Sequence, residues 1–331
     1  MKREELYLQK NYLKEIITND FRYIGEIRSI KPINHNDINS KNFLVECKKS
    51  KYVLKFLRNH QKKRNYQIQK ILNKANLNGI KVAIPMKNVS KKKETDSAVF
   101  LFKFHNGKIF SGSSKELESF ALELARLHKF LKKYKVRLEP ERNFQTYQIL
   151  SSSEFREIKN HIQKKSAIDK TDKIVIKKLE FLKKISKSHK IFEKEYESFN
   201  FKKQLIHNDL HISNIMFSKR NVSVILDFYF MKNGVVLEDV TYSALRLAEQ
   251  TSRKFIEIEK IVNNFLKMYS KYNKIDNDEL QNFNYFLSKN SLARINHILR
   301  NKYFYNSNLW IQQLPLHLRL LEFSYRIQLE V

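Results

Sequence analysis

The chain of 331 residues is 42% hydrophobic and 12% aromatic, which provides enough apolar surface for a sizeable core and argues against disorder. It contains only five glycines, four prolines and a single cysteine, Cys47, so an intramolecular disulfide is excluded and a loop-rich all-β protein is disfavoured. The formal net charge of +30 fits either a polyanionic partner or the lysine-rich coding bias of an AT-rich genome.

The positive charge has one local feature. No Asp or Glu occurs from Cys47 to Lys93, whereas basic residues recur throughout that segment. A polyphosphate ligand would suit such a segment, and coding bias would also produce it. Because a nucleic-acid footprint should appear as a basic patch, coding bias is the favoured explanation of the overall charge, and we predict no nucleic-acid partner.

The N-terminal residues 3–18 have the apolar spacing of an amphipathic helix. This segment is charged and lacks the apolar core of a signal peptide. No apolar run in the chain is long enough to span a bilayer. We therefore predict a cytoplasmic protein that does not insert into membranes.

The first third of the chain contains strand patterns and one further helix. The turn Lys48–Ser50 separates two of the strands and predicts a β-hairpin, and His105–Gly107 ends the last strand. The predicted strands cover 22–30, 41–47, 51–57, 82–86 and 97–104, and the predicted helix covers 61–76.

The rest of the chain is predicted to be mainly helical, with a small β insert. The helical segments are 116–134, 150–198 with a break within 163–173, and 238–331; the strands 203–210 and 222–230 flank a turn at Lys219–Asn221. This order predicts an α+β, two-lobed fold. We expect a small β-rich N-terminal lobe, residues 1–104, and a larger, mainly helical C-terminal lobe, residues 105–331.

The β insert contains the strongest chemical signal of the sequence. Asp209, Asn214 and Asp227 follow or end strand-like apolar runs, which give a catalytic loop rigid support. Phosphoryl transfer requires a positioned acceptor oxygen and neutralised phosphate charge rather than covalent help from the protein. One carboxylate can take the acceptor proton, while a second carboxylate and an amide oxygen can hold Mg²⁺. The three residues therefore predict phosphoryl-transfer chemistry.

Six ordered segments, spanning roughly residues 30–245, resemble motifs of the aminoglycoside phosphotransferase and choline kinase-like families. HNDLHISN (207–214) resembles their H-x-D-x-x-x-x-N catalytic loop, and ILDF (225–228) resembles their metal-binding segment. The other segments are similar to the family's lysine strand, hinge, pre-catalytic helix and post-metal segment: VLKFL (53–57), FKFHNG (102–107), LARLH (124–128) and LEDV (237–240). The resemblance implies a protein-kinase-like fold and an ATP- and Mg²⁺-dependent phosphotransferase.

The resemblance also implies roles for residues on the nucleotide side. Lys55 should contact the α- and β-phosphates of ATP, and backbone groups of Lys103 and His105 should meet the adenine. The loop at residues 33–42 should cover the phosphates.

On the acceptor side, the resemblance makes Asp209 the catalytic base and assigns Mg²⁺, together with the bound ATP, to Asn214 and Asp227. His207 should brace the catalytic loop. Asp239, at the end of LEDV, is predicted to be structural and to bond the backbone of that loop.

Two features depart from the family pattern. The loop at 33–42 contains no glycine, although its asparagines tolerate tight turns. The segment after Lys55 offers no acid to pair with that lysine, so Gln67, Gln69 or an acid from elsewhere would have to orient it. These departures leave open a nucleotide-binding pseudokinase or regulatory module with weak or no turnover.

Two short sequence similarities bear on the identity of the phosphate acceptor. ILDFYF (225–230) and the hairpin at 38–57 are similar to the homoserine kinase-like branch of the family. We predict a small hydroxylated metabolite as substrate: an amino alcohol, a hydroxy amino acid such as homoserine, or a sugar. The net charge and the lack of a dense acidic cluster disfavour a polycationic antibiotic, and His207–Asp209 replaces the His-Arg-Asp usual in protein kinases.

Overall fold

A computed structural model describes residues 10–33, 40–57, 62–89, 99–136, 138, 149–196, 198–251 and 254–327. They form the predicted α+β architecture, with a β-rich N-terminal lobe and a larger, mainly helical C-terminal lobe. Among these residues, no helix combines the length and the apolar character needed to cross a lipid bilayer.

The N-terminal lobe is built on a four-stranded antiparallel sheet whose strands lie side by side in chain order. Helix α1 precedes the sheet, and helix α2 connects its third and fourth strands. The elements are α1 (Lys10–Asp20), β1 (Ile27–Ile33), β2 (Ser40–Cys47), β3 (Lys51–Leu57), α2 (Lys62–Leu77) and β4 (Val99–Lys103).

The alternation of β3 places Lys55 on the face opposite the lobe's core. Leu54 and Phe56 are buried in a core shared with α1, so Val53 and Lys55 point to the other face. Lys55 lies opposite Asn42 of β2 and Phe100 of β4. The sequence predicted both β3 and its hairpin with β2 correctly.

Two predicted strands differ from the structure. In the segment 22–30, Arg22–Ile24 forms a 3₁₀ turn, and β1 begins only at Ile27, after Gly25 with a φ of 85°. The segment 82–86 makes only isolated bridges, from Val82 to Ile225 and from Pro85 to Phe102. Pro85 lacks an N–H group and cannot continue a hydrogen-bonded ladder.

The chain passes from β4 to the C-terminal lobe over His105–Gly107. Lys108 and Phe217 exchange backbone hydrogen bonds of 2.9 and 2.8 Å, which fix this connection to the C-terminal lobe. A Cβ on Gly107 would lie 2.9 Å from Cβ of Met216, so this close approach requires glycine. The lobe boundary at residues 104/105 stays a prediction.

The C-terminal lobe confirms the predicted helical body. Capping boxes at Ser151 with Glu154 and at Asp169 with Asp172 start α4 and α5, and the predicted break lies between these two helices. The helices are α3 (Ser114–Leu131), α4 (Ser152–Gln163), α5 (Lys170–Glu195), α6 (Val236–Thr251), α7 (Phe255–Tyr272), α8 (Asn277–Gln281), α9 (Phe283–Phe304) and α10 (Leu314–Arg326).

The β insert pairs differently from the prediction. The turn at Lys219 and Arg220, both with positive φ, joins β6 to β7 rather than separating the two predicted strands. The predicted strand 203–210 ends at Ile206, just before His207 of the catalytic loop, and pairs with a later strand. The strands are β5 (Lys203–Ile206), β6 (Ile215–Ser218), β7 (Asn221–Ile225) and β8 (Lys232–Val235), with β5 on β8 and β6 on β7.

Glu279 of α8 is a buried acid whose pKa depends on its surroundings. The side chain is only 4% exposed, and burial, followed by the charge of Asp276, raises its pKa to about 7. The carboxyl therefore stabilises the fold below its unfolded pKa near 4.5, and this stability is lost as the pH rises through 7.

We expect Glu279→Gln to increase the free energy of unfolding by about 3 kcal/mol at pH 8, because the variant cannot ionise. At pH 4.5 the same substitution should have little effect. Urea unfolding at both pH values measures the difference, with Asp278→Asn on the exposed face of α8 as the control. A gain in stability that is independent of pH would contradict the assignment.

Candidate active site

A cavity of about 370 Å³ lies between the sheet and the C-terminal lobe. Apolar side chains from both lobes form much of its wall, and a small number of polar groups also line it, as is typical of a small-molecule site. The apolar walls include Ile33, Val53, Ala83, Pro85, Phe100, Phe102, Met216, Leu226 and Phe228; the polar groups include Asn42, Lys55, Asn65, Gln69, Asn214 and Asp227.

Five of the sequence-predicted site residues line this one cavity. They are Lys55, Lys103, His105, Asn214 and Asp227. Ile33 and Asn42, the ends of the predicted phosphate-covering loop, line it too, whereas residues 34–39 lie outside the described residues.

Lys55 and Asp227 form the central ion pair of the site. Nζ of Lys55 lies 2.7 Å from Oδ1 of Asp227, which joins the two lobes across the cavity. Asp227 has a φ of 61°, an uncommon left-handed conformation for a residue with a side chain. In the described chain Lys55 makes no hydrogen bond to Gln67 or Gln69, so the acid that orients this lysine comes from the C-terminal lobe.

Asp209 and Asn214 lie at opposite ends of a short loop that closes on itself. The Asn214 side-chain amide donates to the backbone carbonyl of Asp209 at 2.8 Å and lies 3.4 Å from Oδ2 of its carboxylate. The backbone carbonyl of Asn214 accepts from Leu226 N–H at 2.8 Å. The loop and the Asp227 segment are therefore held together, as the sequence spacing predicted.

His207 braces this arrangement, as expected. Its Nε2 donates to the carbonyl of Leu226 at 2.7 Å, and its Nδ1 accepts from the backbone N–H of Asp209 at 3.2 Å. Both bonds require the neutral Nε2–H tautomer. Burial lowers the pKa of His207, an effect opposed by Asp239, which is consistent with that neutral form.

Asp239 accepts hydrogen bonds from the backbone of the catalytic loop, which confirms the role predicted for it. Its two carboxylate oxygens accept the backbone N–H groups of His207 and Asn208, each at 2.7 Å. Asn208 has a φ of 64°, and these bonds compensate for its left-handed backbone. Nε2 of His128, from the LARLH helix, also donates to Asp239, at 3.1 Å. Both side chains are fully buried.

The surroundings of the site shift the pKa values of its two carboxyl groups in opposite directions. Burial and the nearby charge of Asp227 raise the pKa of Asp209 to about 8. Burial also acts to raise the pKa of Asp227, but the charge and hydrogen bond of Lys55 outweigh it and lower that pKa. Asp227 is therefore the ionised member of the pair, and Asp209 the group with affinity for a proton.

Asn214 and Asp227 offer oxygen ligands of the kind that Mg²⁺ prefers. Because the amide nitrogen of Asn214 is held by Asp209, its Oδ1 is free to face the cavity with the Asp227 carboxylate. Among the described residues there is no group of three or more His, Cys, Asp or Glu that could hold a metal. The pair thus fits a Mg²⁺ that takes its remaining ligands from phosphates and water.

Arg64 is a site residue that the sequence did not reveal. This buried side chain of α2 donates to the carbonyls of Tyr229 and Met231, at 2.8 and 2.5 Å. Both acceptors lie just after Asp227, so Arg64 fixes the segment that carries that carboxylate. Arg64 and Tyr229 lie 165 residues apart in sequence. The only related sequence feature is that α2 and the residues around it contain no acid that could pair with Arg64.

We expect Arg64→Gln to lower the free energy of unfolding by about 1–3 kcal/mol, since it leaves buried carbonyls without donors. Nucleotide affinity should fall as well, because the Asp227 segment loses its support. Urea unfolding and nucleotide titration measure the two effects. Arg126→Gln is the matched control, because Arg126 is partly exposed and pairs with Glu123 on the same helix. Equal losses in both variants would refute the role of Arg64.

Solved structures with the same overall fold belong to small-molecule kinases. The amicoumacin kinase hAmiN, in complex with AMP-PNP, Ca²⁺ and Ami, matches with a TM-score of 0.66 at 13% identity over 98% of this chain and 96% of that one. The spectinomycin phosphotransferase APH(9)-Ia, in complex with ADP and spectinomycin, matches with a TM-score of 0.65 at 14% identity over 96% and 98%. The choline kinase LicA from Streptococcus pneumoniae matches with a TM-score of 0.57 at 14% identity over 94% and 99%.

At these identities the likeness establishes a protein-kinase-like fold, as predicted. No curated protein matches the sequence. The model of the phosphotransferase enzyme family APH, however, matches residues 29–269, a span that contains the sheet, the cavity, the catalytic loop and Asp239. The chain therefore belongs to the APH phosphotransferase enzyme family.

Proposed function

We propose that this protein transfers the γ-phosphate of ATP, with Mg²⁺, to a hydroxyl group of a small metabolite. The observation that carries the proposal is the junction of Lys55, Asp227 and Asn214 in the lining of an apolar cavity, with Asp209 hydrogen-bonded to Asn214. Positive charge, two oxygen ligands for a metal and a proton acceptor are the groups that phosphoryl transfer requires.

On the nucleotide side, the apolar walls of the cavity suit the adenine ring. The backbone N–H of His105 has no hydrogen-bond partner within the described part of the chain, which leaves it available to the base, together with backbone groups of Lys103. Lys55 would contact the α- and β-phosphates. Asn214 and Asp227 would hold Mg²⁺, which supplies charge neutralisation on the transferred group.

On the acceptor side, Asp209 acts as the catalytic base. Its raised affinity for a proton suits a group that receives the acceptor hydroxyl proton as the phosphoryl group is transferred. Asn214 holds the loop so that the carboxylate keeps its position. The acceptor that we favour is an amino alcohol, a hydroxy amino acid such as homoserine, or a sugar.

A screen of hydroxylated acceptors with Mg·ATP, coupled to ADP detection, tests this proposal. We expect ADP release that depends on one class of acceptor and on the divalent metal. Binding of Mg·AMP-PNP, seen as a rise in melting temperature, should accompany it. Failure to bind the nucleotide would refute the proposal.

A nucleotide-binding module without turnover is the second candidate. The observation that favours it is the partner of Lys55: among the described residues of α2 there is no acid, and the lysine pairs with the proposed metal ligand Asp227 instead. This candidate predicts stabilisation by Mg·AMP-PNP but no phosphoryl transfer to any hydroxylated acceptor. The two measurements together distinguish the candidates.

A further inference from the structure

Side chains from three helices of the C-terminal lobe lie near enough to one another, and in part to Asp209, to interact electrostatically. Tyr242 and Arg246 lie one turn apart on α6, Arg294 lies on α9, and His317 lies on α10. Burial lowers the pKa of His317 well below its ordinary value, and the charges of Arg294 and Arg246 lower it further. The same two charges act on Tyr242, together with that of Asp209, so the five side chains share one region.

His211 connects this region to the catalytic loop. Its Nε2 lies 3.8 Å from Oδ2 of Asp209. The same Nε2 atom lies 3.2 Å from the side-chain amide nitrogen of Asn214. Arg294 and Lys55 act as positive charges on Asp209, and Arg246 and Arg294 act on His211.

Two nitrogens of the Arg246 guanidinium group lack a partner in the described part of the chain. These are Nε and Nη1, which are buried without a hydrogen-bond partner. Glu249, one turn further along α6, is bonded to Arg319 instead. Burying unsatisfied donors of a charged group costs stability, so an anionic ligand that accepted from these nitrogens would remove that cost.

Arg294 is held in place by an aromatic platform. Its Cζ lies 4.2 Å from the ring centroid of Trp310, within the range of a cation–π contact. The same ring lies 4.9 Å from that of His297. Trp310 has a φ of 59°, a left-handed conformation that is strained for a bulky residue. A strained backbone thus positions the ring that supports this guanidinium.

We propose that the phosphate acceptor carries an anionic group, a carboxylate or a phosphate, which binds between Arg246 and Arg294 while the acceptor hydroxyl faces Asp209. The unpaired donors of Arg246, the platform under Arg294 and the contact of His211 with Asp209 support this assignment. It rests on the proposed function, and it narrows the substrate class to hydroxy acids and phosphorylated alcohols. A polycationic acceptor would place like charges against both guanidinium groups.

Trp310 provides a direct readout, because it is the single tryptophan of the chain and contacts Arg294. The emission of Trp310 in the full-length protein is followed during titration with acetate, its neutral isostere acetamide and inorganic phosphate, at constant ionic strength, with and without Mg·AMP-PNP. We expect saturable changes with at least one anion and none with acetamide. Comparing acetate with phosphate distinguishes a carboxylate site from a phosphate site.

Variants separate a binding role from a structural one. Arg246→Gln should weaken anion binding about 10- to 100-fold, the loss expected for charge-assisted hydrogen bonds, and Arg294→Gln should also weaken it. Arg156→Gln, at an exposed position of α4, should leave it unchanged. In ligand-free protein, Arg246→Gln should not lower the melting temperature, since no bond is lost.

The outcomes are decisive without knowledge of the natural acceptor. No saturable response to either anion, equal responses to acetate and acetamide, or equal affinity in Arg246→Gln would overturn the proposal. Failure of Mg·AMP-PNP to bind would refute the proposed function instead, and the anion titration without nucleotide still reports on Arg246. Once phosphoryl transfer has been measured, kcat/KM for 4-hydroxybutyrate should exceed kcat/KM for 1,4-butanediol. Arg246→Gln should remove this preference for the carboxylate-bearing acceptor.

Discussion

Replacement of Asp209 by asparagine is expected to lower kcat by about 10²- to 10⁴-fold, the range that general base catalysis contributes. The substitution keeps the size of the side chain but removes the proton acceptor. Because Lys55 and Asp227 form their pair without it, nucleotide affinity should change by less than about threefold, within the scatter of a substitution that spares the nucleotide contacts.

The measurement is steady-state ADP release beside equilibrium binding of AMP-PNP. Asp278→Asn, at an exposed position of α8, is the matched control and should leave both unchanged. Asp209→Asn protein with undiminished turnover would exclude Asp209 as the base. Equal losses in turnover and in nucleotide affinity would assign it to binding instead.

Replacement of Asp239 by alanine is expected to cost about 3–5 kcal/mol of unfolding free energy, the range found when one partner of a buried charged network is removed. The reason is its three donors: the N–H groups of His207 and Asn208 and the Nε2–H of His128. All three would be buried without an acceptor. The left-handed backbone of Asn208 would also lose its support, so kcat should fall even where the variant remains folded.

Urea unfolding followed by activity at low temperature measures both consequences. Asp276→Ala is the control: Asp276 pairs with Lys202 at the surface, where both side chains are well exposed, and such pairs contribute about 0–1 kcal/mol. The loss of unfolding free energy in Asp239→Asn should lie between the losses in Asp239→Ala and Asp276→Ala, because the asparagine keeps one acceptor oxygen. A loss in Asp239→Ala no larger than that in Asp276→Ala would show that the network does not hold the loop.

Local patterns account for the parts of the site that the sequence predicted. The alternation of β3 places Lys55 on the cavity face, and the spacing of His207–Asn214 defines one loop. Asp239 follows the metal segment closely enough for its bonds to that loop to be inferred. For β3 and the loop the information is local, where periodicity and turn chemistry are informative. Asp239 bonds to His207 across 32 residues of sequence, and the resemblance of LEDV to the family's post-metal segment pointed to it.

Long-range pairings account for what the sequence did not predict. Nothing local indicates that β5 pairs with β8 rather than approaching β7, because short apolar strands carry little information on register. Arg64 reaches carbonyls 165 and 167 residues away. The convergence of Arg246 and Arg294 depends on how three helices pack, so neither residue stands out in the linear sequence.

Membership of the family accounts for phosphoryl transfer but does not identify the phosphate acceptor. We propose that the residues around Asp209 select the acceptor. The matched solved structures act on or bind different small molecules, among them an antibiotic and, by name, choline. Arg294 acts on Asp209 beside Lys55, Asp227 and Asp239, and Arg246 and Arg294 act on the neighbouring Tyr242. Our proposal therefore assigns the choice of acceptor to side chains of α6 and α9.

The central claim is tested most directly by ³¹P NMR of the protein with Mg·ATP and a mixture of hydroxylated acids, alcohols and sugars. We predict a new phosphomonoester signal that grows in equal amount with ADP, disappears in Asp209→Asn and requires the acceptor mixture. ATP that remains intact although it binds, or ADP that forms only with free phosphate, would contradict the assignment of this protein as a phosphotransferase acting on a small hydroxylated metabolite.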